Sequence, residues 1–234
     1  MPSTAKSGID GFLRDYLLES VIRRPWPAGA FDDPCWRILD ELSAKTHAAR
    51  DSDPTAAIAD FWSRLQALGP SPVLKLAFLY RLPRRMWEVH DGHPARALAE
   101  TILGSCQAAV AQDADPRIRC LPNVYDALGW MQSGHLNRCL ERANAALSKA
   151  PRDSSLSRQL VTHICHRLTY QGLLQVMQPL WADVGYRPPA RLRWVDAIER
   201  GDLATAARCR SSAEMSSMTG TMHAYGELEA VMRQ

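Results

Sequence analysis

Residues 134–151 read GHLNRCLERANAALSKAP, and their small and apolar side chains fall at helical intervals. Leu136, Cys139, Leu140, Ala143, Ala146 and Leu147 recur at steps of three and four, which places them in one stripe along a helix. Half of the stripe is small, so a neighbouring helix can approach closely there, whereas Leu and Phe throughout would hold it farther off. Gly134 stands where the preceding helix must stop, because glycine enters the left-handed region without a Cβ penalty. Pro151 cannot continue a helix and closes the segment. Upstream, residues 123–133 put Val124, Ala127, Leu128 and Met131 on a second stripe, with Trp130 beside it. Two antiparallel amphipathic helices joined at Gly134 are expected.

With these offsets the segment resembles a tetratricopeptide repeat. In that family the turn glycine is followed by a small residue five positions on, another seven beyond it and a proline five later. Gly134, Cys139, Ala146 and Pro151 occupy those positions, and Ala127 and Trp130 match the small and aromatic positions of the first helix. Asn123 and Asp126 depart from the pattern, standing where large apolar residues are usual. Weaker echoes follow: Gly172 precedes Leu174, Met177, Trp181, Val184 and Pro189, and Gly201 precedes Leu203, Ala206 and Ala213. The glycines are spaced by 38 and 29 residues, on either side of the family's usual period of about 34. Gly92, Ala97 and Gly104 leave a fainter trace that Pro94 interrupts. The resemblance covers residues 120–217 and implies an all-α fold of antiparallel helix hairpins stacked as an α-solenoid. Residues 1–119 are then an N-terminal helical part outside the repeats, and 218–234 a capping helix or tail. The plainer alternative is a generic helical bundle.

Helices in the first 120 residues are announced by their start signals. Asp33-Pro34, Asp53-Pro54, Ser71-Pro72 and Asp115-Pro116 each put a capping side chain before a proline, which needs no partner for an N–H that the first helical position leaves orphaned anyway. The helices expected from them span 34–50, 54–68, 72–90 and 94–112, after a first helix over 9–23 whose buried stripe is Ile9, Phe12, Leu13, Tyr16, Leu17 and Val21. No β-branched run alternates strictly, so no sheet is expected.

Composition agrees with this class. The 234 residues are 46% hydrophobic, enough for a substantial core, and no run of 18 apolar residues suggests a membrane span. Lys6, Asp10, Arg14 and Asp15 interrupt the apolar stretch a secretory signal would need, so a cytoplasmic protein is expected. Cys35, Cys106, Cys120, Cys139, Cys165 and Cys209 are scattered without a CxxC pair and read as reduced, small hydrophobes.

The sequence holds no GxxxxGK[ST], GxGxxG or GxSxG motif, which lowers the prior for an NTPase, a dinucleotide enzyme or a serine hydrolase. The repeat resemblance implies a non-catalytic adaptor, chaperone or assembly subunit without a cofactor, binding a peptide or helix of a partner protein on its concave surface. By the family's offsets Gln132, Gln159, Thr162, His166, Tyr170 and Arg191 would line that surface. His166 also lies opposite the apolar stripe of Leu156, Leu160, Ile164 and Leu168.

Three other readings compete. His90-Asp91, with His47 upstream and Asp113, Asp115 or Asp126 downstream, resembles the ligand set of HD-type metal-dependent phosphohydrolases, where imidazole and carboxylate hold a hydrated metal. Gly92 and Pro94 follow at once, which suits a turn or cap better than the helix that family uses. His163 and His166, with Cys165 pointing away, share a helix side as two metal ligands without a third. Arg81, Arg84 and Arg85 near Tyr80 and Trp87, and Arg187, Arg191 and Arg193 near Trp194, could serve a nucleic-acid-binding solenoid. A net charge of only +3 argues against a basic stripe, and arginines lying over indole faces explain the pattern as well.

Overall fold

The computed structural model describes residues 4–19, 24–48, 53–83, 85–89, 92–150, 155–169, 190–210 and 230–232, without the side chains of 4–7, 46–48, 132, 165–169 and 191. Every regular element among them is helical, as the sequence predicts. The chain forms two compact units, Met1–Pro151 and Arg152–Gln234.

The first unit contains α1 (Thr4–Glu19), α2 (Pro34–Ala48), α3 (Thr55–Ala67), α4 (Pro72–Arg81), α5 (Arg85–Glu88), α6 (Pro94–Val110), α7 (Pro116–Gln132) and α8 (Leu136–Leu147). Three of the four expected caps hold. Asp33 Oδ1 accepts from the amides of Cys35 (2.8 Å) and Trp36, Ser71 Oγ from Leu74 (3.2 Å) and Asp115 Oδ1 from Arg117 (2.8 Å). Asp53 Oδ1 accepts from Thr55 (2.9 Å), one residue ahead of the cap position. A fifth cap lies at His93-Pro94, where the Ala95 amide donates to His93 Nδ1 (3.1 Å). Pro94 therefore starts α6 instead of interrupting a pattern.

Two helices differ from the expected spans. The stretch 72–90 is broken after Arg81, and Leu82 is extended at φ −55°, ψ 134°, because a following proline pushes the residue before it out of the α region. The helix expected over 123–133 begins at Pro116 and runs through Pro122. It is also not amphipathic. Residues 121–131 are buried on every face, since α7 is the central helix, packed against α1, α4, α5, α6 and α8. Phe12 is the one described member of the α1 stripe left exposed, at 38%. It forms the outer edge of an aromatic cluster with Phe31 and Trp36, and Trp26 stacks on Trp36 with centroids 4.7 Å apart.

The second unit contains α9 (Ser155–Thr169), α10 (Ala190–Glu199) and α11 (Leu203–Arg210), and residues 230–232 are helical. Leu156, Leu160 and Ile164 of α9 are buried as expected, and Trp194 is fully enclosed in α10.

Both described hairpins turn in the same way. After α7, the Gly134 amide donates to Met131 O (3.3 Å) and the His135 amide to Trp130 O (3.0 Å). After α10, the Gly201 amide donates to Ile198 O (3.0 Å) and the Asp202 amide to Ala197 O (2.8 Å). This is the paired-bond C-cap that needs a left-handed residue, supplied at φ +81° by Gly134 and φ +72° by Gly201. The next helix starts two residues after each glycine, and the residue five positions on, Cys139 or Ala206, is fully buried. Gly172 and the turn expected there lie outside the described residues.

Candidate functional site

α8 buries a small-residue face against its neighbours, and its other side chains join those of α6 and α7 along a groove. Cys139, Ala143 and Ala146 of α8 are at most 1% exposed, so the helix packs through them and carries Arg142 and Lys149 elsewhere on its circumference. On α7, Arg119 and Asn123 are four residues apart and share a side. Together with Gln107 and Ala111 of the α6 end and Ala145 of α8, these residues line a groove of about 540 Å³. It lies wholly within the first unit.

The groove is cationic, and no carboxylate lines it among the described residues. Arg119 donates to the backbone carbonyls of Asp113 and Ala114, at the loop before α7, and its charge also helps to hold the Asp113 carboxyl below the usual range. Lys149 is exposed and makes no ion pair among the described residues. Arg142 leans inward, its Nε 3.0 Å from Asp126 Oδ2. Asn123 is 6% exposed, and its Oδ1 accepts from Gln107 Nε2 (3.2 Å). The two departures from the repeat pattern, Asn123 and Asp126, are thus both accounted for by groove residues.

Beneath the groove the polar groups continue into the core. Burial pushes the Asp126 carboxyl up to about 6, against the opposing influence of Arg142 and Arg96. Arg96 is 2% exposed, with its guanidinium carbon 3.4 Å from the Trp130 ring centre and 4.8 Å from that of Trp87. Its Nε donates to Glu100 Oε1 (3.0 Å), while Nη2 meets no acceptor among the described residues. Two indole faces supply the missing negative potential. Arg138 covers Trp130 as well, at 4.3 Å.

The residues named from sequence fall variously. Gln159 and Thr162 of α9 are half-buried, and Thr162 Oγ1 donates to Arg158 O (2.7 Å) of its own helix. Gln132, His166 and Arg191 lie on described helices, but their side chains are outside the described residues, and so is all of Tyr170. His90 and Asp91 are outside them too, as are the side chains of His47 and Cys165. Among the described residues no three His, Cys, Asp or Glu side chains group closely enough to hold a metal. Asp113 instead takes a two-pronged bond from Arg14 (3.0 and 2.5 Å), which holds its carboxyl below the usual range, and Asp115 caps α7. Arg81, read from sequence as part of a basic patch, is 5% exposed and donates to Arg24 O (3.1 Å) and Ser43 Oγ (2.7 Å). Cys35, Cys106, Cys120, Cys139 and Cys209 are free and buried, and burial lifts the thiols of Cys106, Cys120 and Cys139 to about 12. No described helix is long and apolar enough to cross a membrane.

Gln107, Arg119, Arg142 and Lys149 were missed from sequence. The available signal was the seven-residue step from Arg142 to Lys149 opposite a small-residue stripe; nothing local indicated that α6 would close the groove. Compared with protein-family models, curated proteins and solved structures, the chain matches none.

Proposed function

We propose that this chain is a non-catalytic binding module, a degenerate helical repeat of the tetratricopeptide kind that holds a segment of a partner protein against its helices. The repeat reading is supported by the two hairpins, whose turn bonds correspond one for one and whose glycines stand 67 positions apart, close to twice a period of about 34. The binding reading is carried by one observation: three cations and two amides converge on a groove built from three helices. Helix packing fixes that groove in advance, so little ordering cost falls on association. The surface assigned by the repeat offsets, Gln132, Gln159, Thr162, His166, Tyr170 and Arg191, is the second place where a partner would be sought.

The test is comparative capture from the native cell with the intact chain and its Lys149→Glu and His166→Ala/Arg191→Ala variants, each first checked for unchanged helicity and melting. The reading expects specific proteins retained by the parent and depleted with at least one variant. Identical partner sets for all three would refute it. So would turnover of phosphate esters by the purified chain with added divalent metal that disappears in His90→Ala and Asp91→Ala, which would establish the phosphohydrolase alternative.

A further inference from the structure

The groove's chemistry allows its occupant to be specified, on the footing that the chain is a binding module. We infer that the groove between α6, α7 and α8 takes an extended acidic peptide segment. Charge complementarity is the first argument. Arg119 hydrogen-bonds backbone carbonyls, the Asp113 carboxylate that its charge reaches is already bound by Arg14, Lys149 has no ion partner among the described residues, and the described lining contributes no acid to either. Arg142 differs, being already compensated by Asp126, so the unanswered charge belongs to the other two. A helix C-terminus favours a cation without any ligand, and Lys149 alone would carry nothing. The convergence of cations from α7 and α8 on one cleft is what points to an anion.

The amides of the lining suit a peptide as well. Asn123 and Gln107 line the same groove, and a side-chain amide offers a peptide backbone both donor and acceptor. The third argument separates peptide from nucleic acid. No aromatic side chain lines the groove, and single-stranded nucleic acids are held by stacking bases on aromatic faces. The tryptophans nearest in sequence are occupied elsewhere, Trp130 being 5% exposed beneath Arg96 and Arg138.

The experiment is fluorescence anisotropy on the intact chain with three labelled probes: an eight-residue peptide with Glu at alternate positions and Ser between, its Gln counterpart, and a fifteen-residue thymidine oligonucleotide. The Glu peptide should bind at least about tenfold more tightly than the Gln peptide, with affinity falling as salt rises. Lys149→Glu and Arg119→Gln should each weaken it, the charge reversal by about tenfold or more. Arg142→Gln is less useful, because it strips the buried Asp126 of its partner; Lys149→Glu alters an exposed side chain and keeps the test valid. Equal binding of the Glu and Gln peptides overturns the inference, as does affinity unchanged by Lys149→Glu. An oligonucleotide that outcompetes the peptide overturns it in favour of nucleic acid. If the peptide fails while Lys149→Glu still depletes captured partners, only the acidic-segment inference falls; if capture is also indifferent to the groove, the binding-module reading loses its support there.

Discussion

Gly129 and Gly104 are both helical glycines, and the packing around them gives them opposite meanings. A Cβ at Gly129 would stand 2.5 Å from the Trp87 ring, whereas one at Gly104 would meet nothing within 4 Å. Gly129→Ala must displace a buried indole and should lower stability by about 1–3 kcal/mol. Gly104→Ala should raise it by roughly 0.5–1 kcal/mol through helix propensity alone. Thermal melts of the two variants with the parent check both signs. Asp126 gives a pH prediction. Its carboxyl titrates near 6 in the folded chain, above an unfolded value of about 3.9, so the folded state holds the extra proton. Its contribution is therefore fully present below about pH 4 and is lost as pH rises through 6. In Asp126→Asn that loss should vanish, leaving the variant as stable as the parent or more so above pH 6, by at most about 3 kcal/mol. Arg142 can tolerate the change because 43% of its side chain is exposed. Chemical denaturation of both proteins from pH 4 to 8 is the measurement, and a parallel pH profile would contradict the assignment.

Helices here begin on side-chain caps and pack through small faces. Asp115 accepts the Arg117 amide at the start of the central helix, and Asp115→Ala should cost about 1 kcal/mol. The substitution reaches further than a cap on a peripheral helix, because α7 touches five other helices. Ala146 is 1% exposed on the packed face of α8. Ala146→Leu adds three heavy atoms where a neighbour already sits, and a loss of about 1–3 kcal/mol is expected. An unchanged melting midpoint would mean that this face is not a helix contact. These features were legible in sequence: the Ser/Asp-Pro pairs and the Cys139, Ala143, Ala146 stripe carry local signals that need no knowledge of the fold. α7 was legible in two pieces, its start in Asp115-Pro116 and its second half in the stripe over 123–133, and no local signal joined them through Pro122.

At the scale of the whole chain, the first unit brings its own core, from Leu13 and Leu17 of α1 through Leu39, Phe61, Phe78 and Ile102 to Cys139 and Ala143. The hairpin α7–α8 belongs to that unit. A fragment of residues 1–151 should therefore be helical by far-UV circular dichroism and unfold in one cooperative transition, which calorimetry would show as agreement between calorimetric and van't Hoff enthalpies. A non-cooperative melt would mean that the core depends on residues beyond 151.

Sequence alone determined that the chain is helical, where most helices start, and that glycine turns the described hairpins, since caps, periodicity and left-handed backbone are properties of a few adjacent residues. Tertiary structure decided what those signals mean together. Asn123 and Asp126 looked like flaws in a repeat, yet the packing of α6 and α8 around α7 makes one a groove side chain and the other the buried partner of Arg142. Arg81 looked like surface charge and is a core hydrogen-bond donor, while Arg119 and Lys149 drew no notice and face one cleft. The physical reason is range: a helix's own residues dictate its backbone, but whether a charged side chain ends in solvent, in a groove or between two indole rings depends on which distant helix closes over it.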